Sequence, residues 1–315
     1  MTRPPLEPEI RVVASGLRFP EGPVALPDGS LLVVEIAGAA LTRIAPDGAV
    51  EQVADLGGGP NGAAVGADGA VYVANNGGAV RFRERDGSFW PDYAPDRPPG
   101  SGGSIQRVDP ASGQAEILYE ACDGRRLNAP NDLVVAADGS IWFTDLGLVG
   151  VRSIERGGVY WCRPDGSEIR EVIFPLDQPN GIGLSPTGDR VYVAETNTGR
   201  LWGWDVAGPG EVVARRRPAT AAGAALLADP GRLTRFDSLA VDGAGWICVA
   251  RLGSGAIVAV APGGQDDGMD VVPMPDPYTT NICFGRDGRT AYVTLSSSGR
   301  LVSFDWHRPG GTTAF

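Results

Sequence analysis

The sequence predicts an all-β fold, a six-bladed β-propeller of four-stranded antiparallel blades, and three observations carry that expectation. One motif occurs six times along the 315 residues. The 46 Gly and 26 Pro are spread among short Val, Ile, Trp and Tyr runs, the habit of an all-β chain with many turns, and no long run has helical periodicity. Motif copies begin 40 to 70 residues apart, the span of propeller blades, one of them enlarged by an insertion. This favours one closed repeat domain over residues 1–315 rather than the two domains such a length often forms.

The first copy is FPEGPVALPDGSLLVVE, residues 19–35. Glu21 opens a short apolar run, Gly29 marks a turn eight positions on, and a second apolar run ends on Glu35. The same register gives Asn61, Gly69 and Asn75; Asn131, Gly139 and Asp145; Asn180, Gly188 and Glu195; and Asp237, Gly245 and Arg251. In the sixth copy, counting eight back from Gly288 puts Thr280 in the opening position and Asn281 one beyond it. Each copy reads as two strands joined by a tight turn. Asp-Gly supplies the left-handed backbone in four of them.

The rest of each blade follows. ALTRIAPDG, SIQRVDPASG, GVYWCRPDG, RLWGWDVAG and AIVAVAPGG read as third strands running into Gly-rich turns. VEQVADL, AEILYEA, REVIFPL and DVVPMP read as outermost strands. IRVVA (residues 10–14) matches these runs but has no preceding blade, so it is expected to join LVSFD (residues 301–305). The ring then closes with one blade built from both ends of the chain, which removes a sheet edge.

In such a fold the second strand returns to the mouth from which the first departs. The long segments 76–103, 146–157 and 215–236 all join strands at that mouth, while the opposite turns stay short. Long connections on a rigid scaffold are where binding usually resides. The first carries Trp90 and Tyr93, as a lid with an aromatic contact to substrate or as a surface excursion packed on neighbouring blades. The third, with AAGAALLAD, is expected to hold a helical turn beside Asp237.

Glu21, Asn61, Asn131, Asn180, Asp237 and Thr280 begin the innermost strands and therefore ring the channel. Two carboxylates and three amides converge with no Lys or Arg among them, and poorly hydrated like charges need a counter-ion. Oxygen ligands from Asp, Glu and Asn select one hard divalent cation, Ca2+ first, with Zn2+, Mg2+ or Mn2+ as alternatives. Taken singly, the Asn-Gly and Asn-Asp pairs are ordinary turn chemistry. Asp145 and Glu195, at second-strand ends beside the ring, are candidates to orient ligands or waters, as are Glu35 and Asn75, which equally suit ordinary strand ends.

The formal net charge of -11 argues against nucleic acid as a partner, since phosphate binding needs a concentrated basic surface. Arg215 to Arg217 is the one basic triplet and reads as a solvated strand end. No apolar run suggests a signal peptide or membrane span, so a cytoplasmic location is expected. Cys122, Cys162, Cys248 and Cys283 lack metal-ligand spacing and read as structural thiols. A single His, His307, leaves little room for a His-dependent triad or zinc site.

FPEGPVALPDGSLLVVE, APNDLVVAADGSIWFTD, QPNGIGLSPTGDRVYVAE and FDSLAVDGAGWICVA resemble, in order, motifs of the regucalcin (senescence marker protein), gluconolactonase and luciferin-regenerating enzyme family. The resemblance runs from about residue 17 to residue 305. It implies a six-bladed propeller with one divalent metal held by Glu21, Asn180 and Asp237, with Asn131 as a further ligand or a substrate contact. It implies hydrolysis of sugar lactones and similar cyclic esters, small-molecule substrates, with Asp237 as base or nucleophile; Asn61, from its place in the ring, is expected to contact the substrate. The fifth motif departs from the family's Pro-Asp-Gly, and a side chain at Ser238 is expected to narrow the mouth beside Asp237. The same site with another substrate, such as an organophosphate or a rearranging ring, is the alternative enzymatic reading, and a calcium-binding interaction propeller the non-catalytic one. A monomer or small homo-oligomer suits any of them.

Overall fold

The computed structural model describes residues 4–92, 102–150, 152–213, 224–231 and 233–311. Six antiparallel sheets follow one another around a channel. Blade 1 runs outward through Pro20–Ala25, Leu31–Glu35, Ala40–Ile44 and Val50–Asp55. Blade 2 uses Pro60–Val65, Val71–Asn75, Ser104–Val108 and Ala115–Tyr119, and blade 3 uses Pro130–Val135, Ile141–Asp145, Gly157–Cys162 and Ile169–Leu176. Blade 5 is built from Arg235–Val241, Ile247–Leu252, Ala256–Val260 and Met269–Pro273.

Blade 6 takes Thr279–Phe284, Thr290–Leu295 and Arg300–Asp305, and is completed by Arg11–Ala14, which pairs antiparallel with the last of them. The expected closure is therefore present.

Blade 4 corrects one expectation. Pro179–Leu184, Arg190–Glu195 and Leu201–Gly208 are followed by a split outer edge, Glu211–Val212 and then Ala225–Ala228. The ALLA segment is thus a strand and not a helical turn. Leu201–Gly208 offers an unpaired ladder there, and pairing with it overrides the helical preference of Ala and Leu. Arg215 to Arg217 lie outside the described residues. Among the described residues the one helical element is the short 3-10 turn Ile36–Gly38.

Strand alternation sends side chains to both faces of each sheet, and each seam between neighbouring blades holds its own apolar cluster. In blade 2, Val71 and Val73 pack toward blade 1 while Ala70, Tyr72 and Ala74 pack toward blade 3. The seam of blades 3 and 4 carries the heaviest filling, with Trp142, Trp161 and Trp204 buried together. Because every blade is gripped on both faces, the inner strand ends are held in a fixed circle.

A candidate active site at one mouth of the channel

Each inner strand carries a register shift at its opening residues. A bulge re-aims side chains, here toward the axis. Glu21, Asn61, Asn131, Asn180 and Asp237 are all buried and together floor one cavity. Gly62 and Gly181 lie within strands and not in turns. A Cβ on Gly62 would stand 2.6 Å from the Asn131 carbonyl oxygen, and one on Gly181 would stand 2.6 Å from the Leu239 amide nitrogen. Crowding at the axis, not turn chemistry, thus explains Asn-Gly at these two positions.

The sixth position is taken by Asn281. Its Nδ2 donates to Glu21 Oε2 at 2.7 Å, whereas the Thr280 hydroxyl turns away to Thr294 and Ser296. The register shift between Thr279 and Asn281 moves the channel-facing residue one place along.

Asp132, which sequence reasoning passed over, adds a third carboxylate. It is 5% exposed, and its oxygens accept the backbone N–H groups of Leu133 (2.9 Å) and Ile182 (3.4 Å). Its signal was the Asn-Asp pair, standing where two other blades have Asn-Gly. Its side chain occupies space that Gly62 leaves free, 3.1 Å from where a Cβ there would lie.

Burial dominates the electrostatics. It pushes Asp132 up to about 7. Burial, followed by the nearby Asp237 charge, raises Glu21 well above the usual carboxylate range. Asp237 is raised by burial and by Asp132, while the Asn180 side chain, donating to it, opposes the rise. Among the described residues no Lys or Arg lines the cavity.

The second-strand ends hold the ring from behind. Asp145 accepts the N–H groups of Asn128 (2.7 Å) and Ala129 (2.9 Å), just before Asn131. Glu195 accepts from Asp177 N–H (2.7 Å), just before Asn180, and from Trp202 Nε1 (2.9 Å). Glu35 does the same to Arg18 N–H and Asn75 to Gly59 N–H. They fix the chain entering each inner strand. Phe19 and Gln178 also occupy left-handed backbone, at φ 57° and 53°, immediately before the prolines that begin two inner strands. Both line the cavity, and backbone strain of this kind concentrates at binding sites.

The long connection of blade 2 forms a hairpin, Arg81–Arg85 with Ser88–Asp92, that crosses to blade 6, where Phe89 N–H donates to the Ser297 carbonyl at 2.9 Å. Phe82 and Pro91 line the cavity. Trp90 is 41% exposed and stands edge-on to Tyr278 with ring centroids 5.8 Å apart, outside the lining. Tyr93 lies outside the described residues. Ser238 is buried and reaches the Asn180 Oδ1 at 3.4 Å.

Asn131 Oδ1 is buried and has no hydrogen-bond partner. With crowded carboxylates beside it and no basic residue among those described as lining the cavity, this donor set fits a hard divalent cation held by Glu21, Asn131, Asn180 and Asp237. Among the described residues no group of three or more His, Cys, Asp or Glu side chains is arranged to hold a metal, so a cation here would draw on amide oxygens as well.

Fold and site define a class: a six-bladed propeller with a buried acid–amide ring at one mouth. The chain belongs to the SMP-30/gluconolactonase/LRE-like family, whose pattern matches residues 19–297. It is 26% identical to a gluconolactonase of Zymomonas mobilis over 91% of this chain and 79% of that protein. It is 28% identical to the diisopropyl-fluorophosphatase of Loligo vulgaris over 62% of this chain and 63% of that one. The crystal structure of regucalcin from Agrobacterium tumefaciens, described as a calcium-binding protein, superposes with a TM-score of 0.76 at 19% identity, over 99% of this chain and 98% of that one.

Proposed function

We propose that the protein is a metal-dependent hydrolase that opens a lactone at the acid–amide ring. The observation that carries this is the ring itself: two carboxylates and four amides, Glu21, Asn61, Asn131, Asn180, Asp237 and Asn281, all buried, the first five lining the cavity. Relatives named gluconolactonase and lactonase support the same reading.

Glu21, Asn131, Asn180 and Asp237 would hold a divalent cation, which when bound would supply Lewis-acid stabilisation of the ester carbonyl. The remaining work belongs to the chain. Asp237 removes a proton from the attacking water as the water oxygen bonds to the acyl carbon. The ring C–O bond then breaks, the leaving alkoxide regains a proton, and a hydroxy acid departs. Asn180, hydrogen-bonded to Asp237, holds that carboxylate in place, and Asn61 is available to the substrate's ring oxygen.

Purified protein is assayed for acid release from a lactone panel before and after chelation, alongside Asp237→Asn. Metal-dependent hydrolysis that falls by roughly a hundredfold or more in the variant, with metal still bound, is the expected result. Unchanged turnover in Asp237→Asn overturns the assignment. A fluorophosphate belongs in the panel because of the Loligo relative, and metal binding without any turnover would favour a calcium-binding role. Four free, buried cysteines are in keeping with the reducing cytoplasm. No helix among the described residues is long and apolar enough to cross a membrane.

A further inference from the structure

Above the polar floor the cavity is walled by carbon. Phe19, Ile36, Phe82, Leu146, Leu252 and Tyr278 face it, and Val80 and Pro91 extend the same surface along the blade 2 hairpin. Three of these side chains form one aromatic face. Phe19 lies 4.6 Å from Phe82 and 5.8 Å from Tyr278, centroid to centroid.

Among the described residues, the polar groups that reach the cavity above the floor are Gln178, Thr196 and the Tyr278 hydroxyl. Thr196 Oγ1 already donates to the Phe236 carbonyl at 2.7 Å and has only acceptor capacity left. The wall is also fastened in place. Phe89, on the hairpin that carries Phe82, is buried against Phe19 and Ile36 while its N–H bonds blade 6.

A sugar lactone carries a hydroxyl on nearly every ring carbon. With the ester at the floor, most of those hydroxyls meet hydrocarbon and leave their water partners unreplaced. A flat or aliphatic body instead loses only water-exposed carbon surface and gains contact with the three rings.

We infer that the natural substrate is a lactone with an apolar body, aromatic or alkyl, and not a polyhydroxylated sugar lactone, with Phe82 on the blade 2 hairpin as a specificity-determining residue. This rests on the lactone-hydrolase reading for its chemistry, but the wall selects ligands whether or not hydrolysis follows.

The test compares dihydrocoumarin and an alkyl δ-lactone with D-glucono-δ-lactone, using metal-loaded protein and subtracting spontaneous hydrolysis. An apolar pocket disfavours a single added hydroxyl by up to about a hundredfold, and a sugar lactone brings several, so kcat/KM is expected to favour an apolar lactone by roughly a hundredfold or more, mainly through KM. Phe82→Ser should shrink that preference about tenfold, and Val80→Ser, a milder change on the same wall, should shrink it less. Binding is measured in parallel by calorimetry with the corresponding lactams, 3,4-dihydroquinolin-2-one and D-glucono-δ-lactam. The fused-ring lactam should bind roughly tenfold more tightly or better. Equal or better turnover of the sugar lactone, or equal or tighter binding of its lactam, overturns the inference. If no lactone is hydrolysed, the hydrolase reading fails while the lactam comparison still decides the wall's selectivity.

Discussion

Replacing Asn281 by Ala tests the ring at its least expected member. Asn281 Nδ2 donates to Glu21 Oε2 at 2.7 Å, and both residues are buried. A hydrogen bond to a charged partner contributes ~1.5–3 kcal/mol, and each ~1.4 kcal/mol is tenfold in an equilibrium. Divalent cation affinity should therefore fall about 10- to 100-fold, the range found when residues supporting metal ligands are removed. The same bond opposes the upward push of burial on the Glu21 carboxyl. Without it the proton competes better for Glu21, so the deficit should widen as pH falls. Calorimetric titration with Ca2+ and Zn2+ at two pH values reads both effects, and Thr280→Val is the internal comparison. The Thr280 hydroxyl bonds Thr294 and Ser296, away from Glu21, so that variant should lower the melting temperature and leave cation affinity intact. Cation affinity within about twofold of the parent in Asn281→Ala, at both pH values, would refute the reasoning.

Other perturbations have equally definite outcomes. Arg308 bonds Asp242 (2.8 Å) and Asp270 (2.6 Å), both nearly inaccessible, and lies 4.0 Å from the centroid of the Trp246 ring; Arg308→Ala removes the cation these two buried carboxylates share and should cost ~3–5 kcal/mol. At about 2 °C per kcal/mol for a chain of this size, calorimetry should record a fall of roughly 6–10 °C, and a change under about 2 °C would count against this role for Arg308. Burial, and then the Arg308 charge, hold the imidazole of His307 below its ordinary value of 6.5. His307 is therefore folded in its neutral form, and its contribution is complete above the unfolded value and lost as pH falls through the folded one. NMR titration of this single histidine should give a midpoint below 6.5, and a higher one contradicts the burial argument. Burial also raises all four thiols, Cys283 to about 12. Ellman's reagent at about pH 8 should therefore label none until denaturant is added, and rapid labelling of native protein would contradict that packing.

The blade count and the closure by the N-terminal strand were legible because they depend on spacing and alternation, which sequence carries directly. So were Glu21, Asn61, Asn131, Asn180 and Asp237, since one register runs through five blades. In the sixth blade the rule slipped by one residue, because a bulge between Thr279 and Asn281 changes which side chain faces the axis without changing the spacing of the turn. Asp132 was hidden by its neighbour: Asn131 occupied the expected position, and that the next side chain also turns inward depends on the space left by Gly62 in another blade. Asp145 and Glu195 stood at the right places, yet their bonds run to the backbone leading into the inner strands, a detail set by side-chain direction. The apolar wall was illegible because it is assembled from the ends of separate blades.

The pairing of Arg11–Ala14 with Arg300–Asp305 has a consequence for how the molecule is made. At about 5–20 residues per second, the earliest strand of the ring waits roughly 15 to 60 s on the ribosome for its partner to be synthesised. The thermodynamic cost of so distant a pairing is small, about 0.6 kcal/mol for each doubling of the intervening length, so delay and not energy is the hazard. Throughout that interval the growing chain carries an unsatisfied strand at one end. In a crowded polysome a neighbouring chain's blade 6 offers the same slot, and filling it would link two propellers by exchanged first strands. Fast synthesis and low local concentration therefore protect a ring closed by its own first strand, a kinetic safeguard outside the folded structure itself.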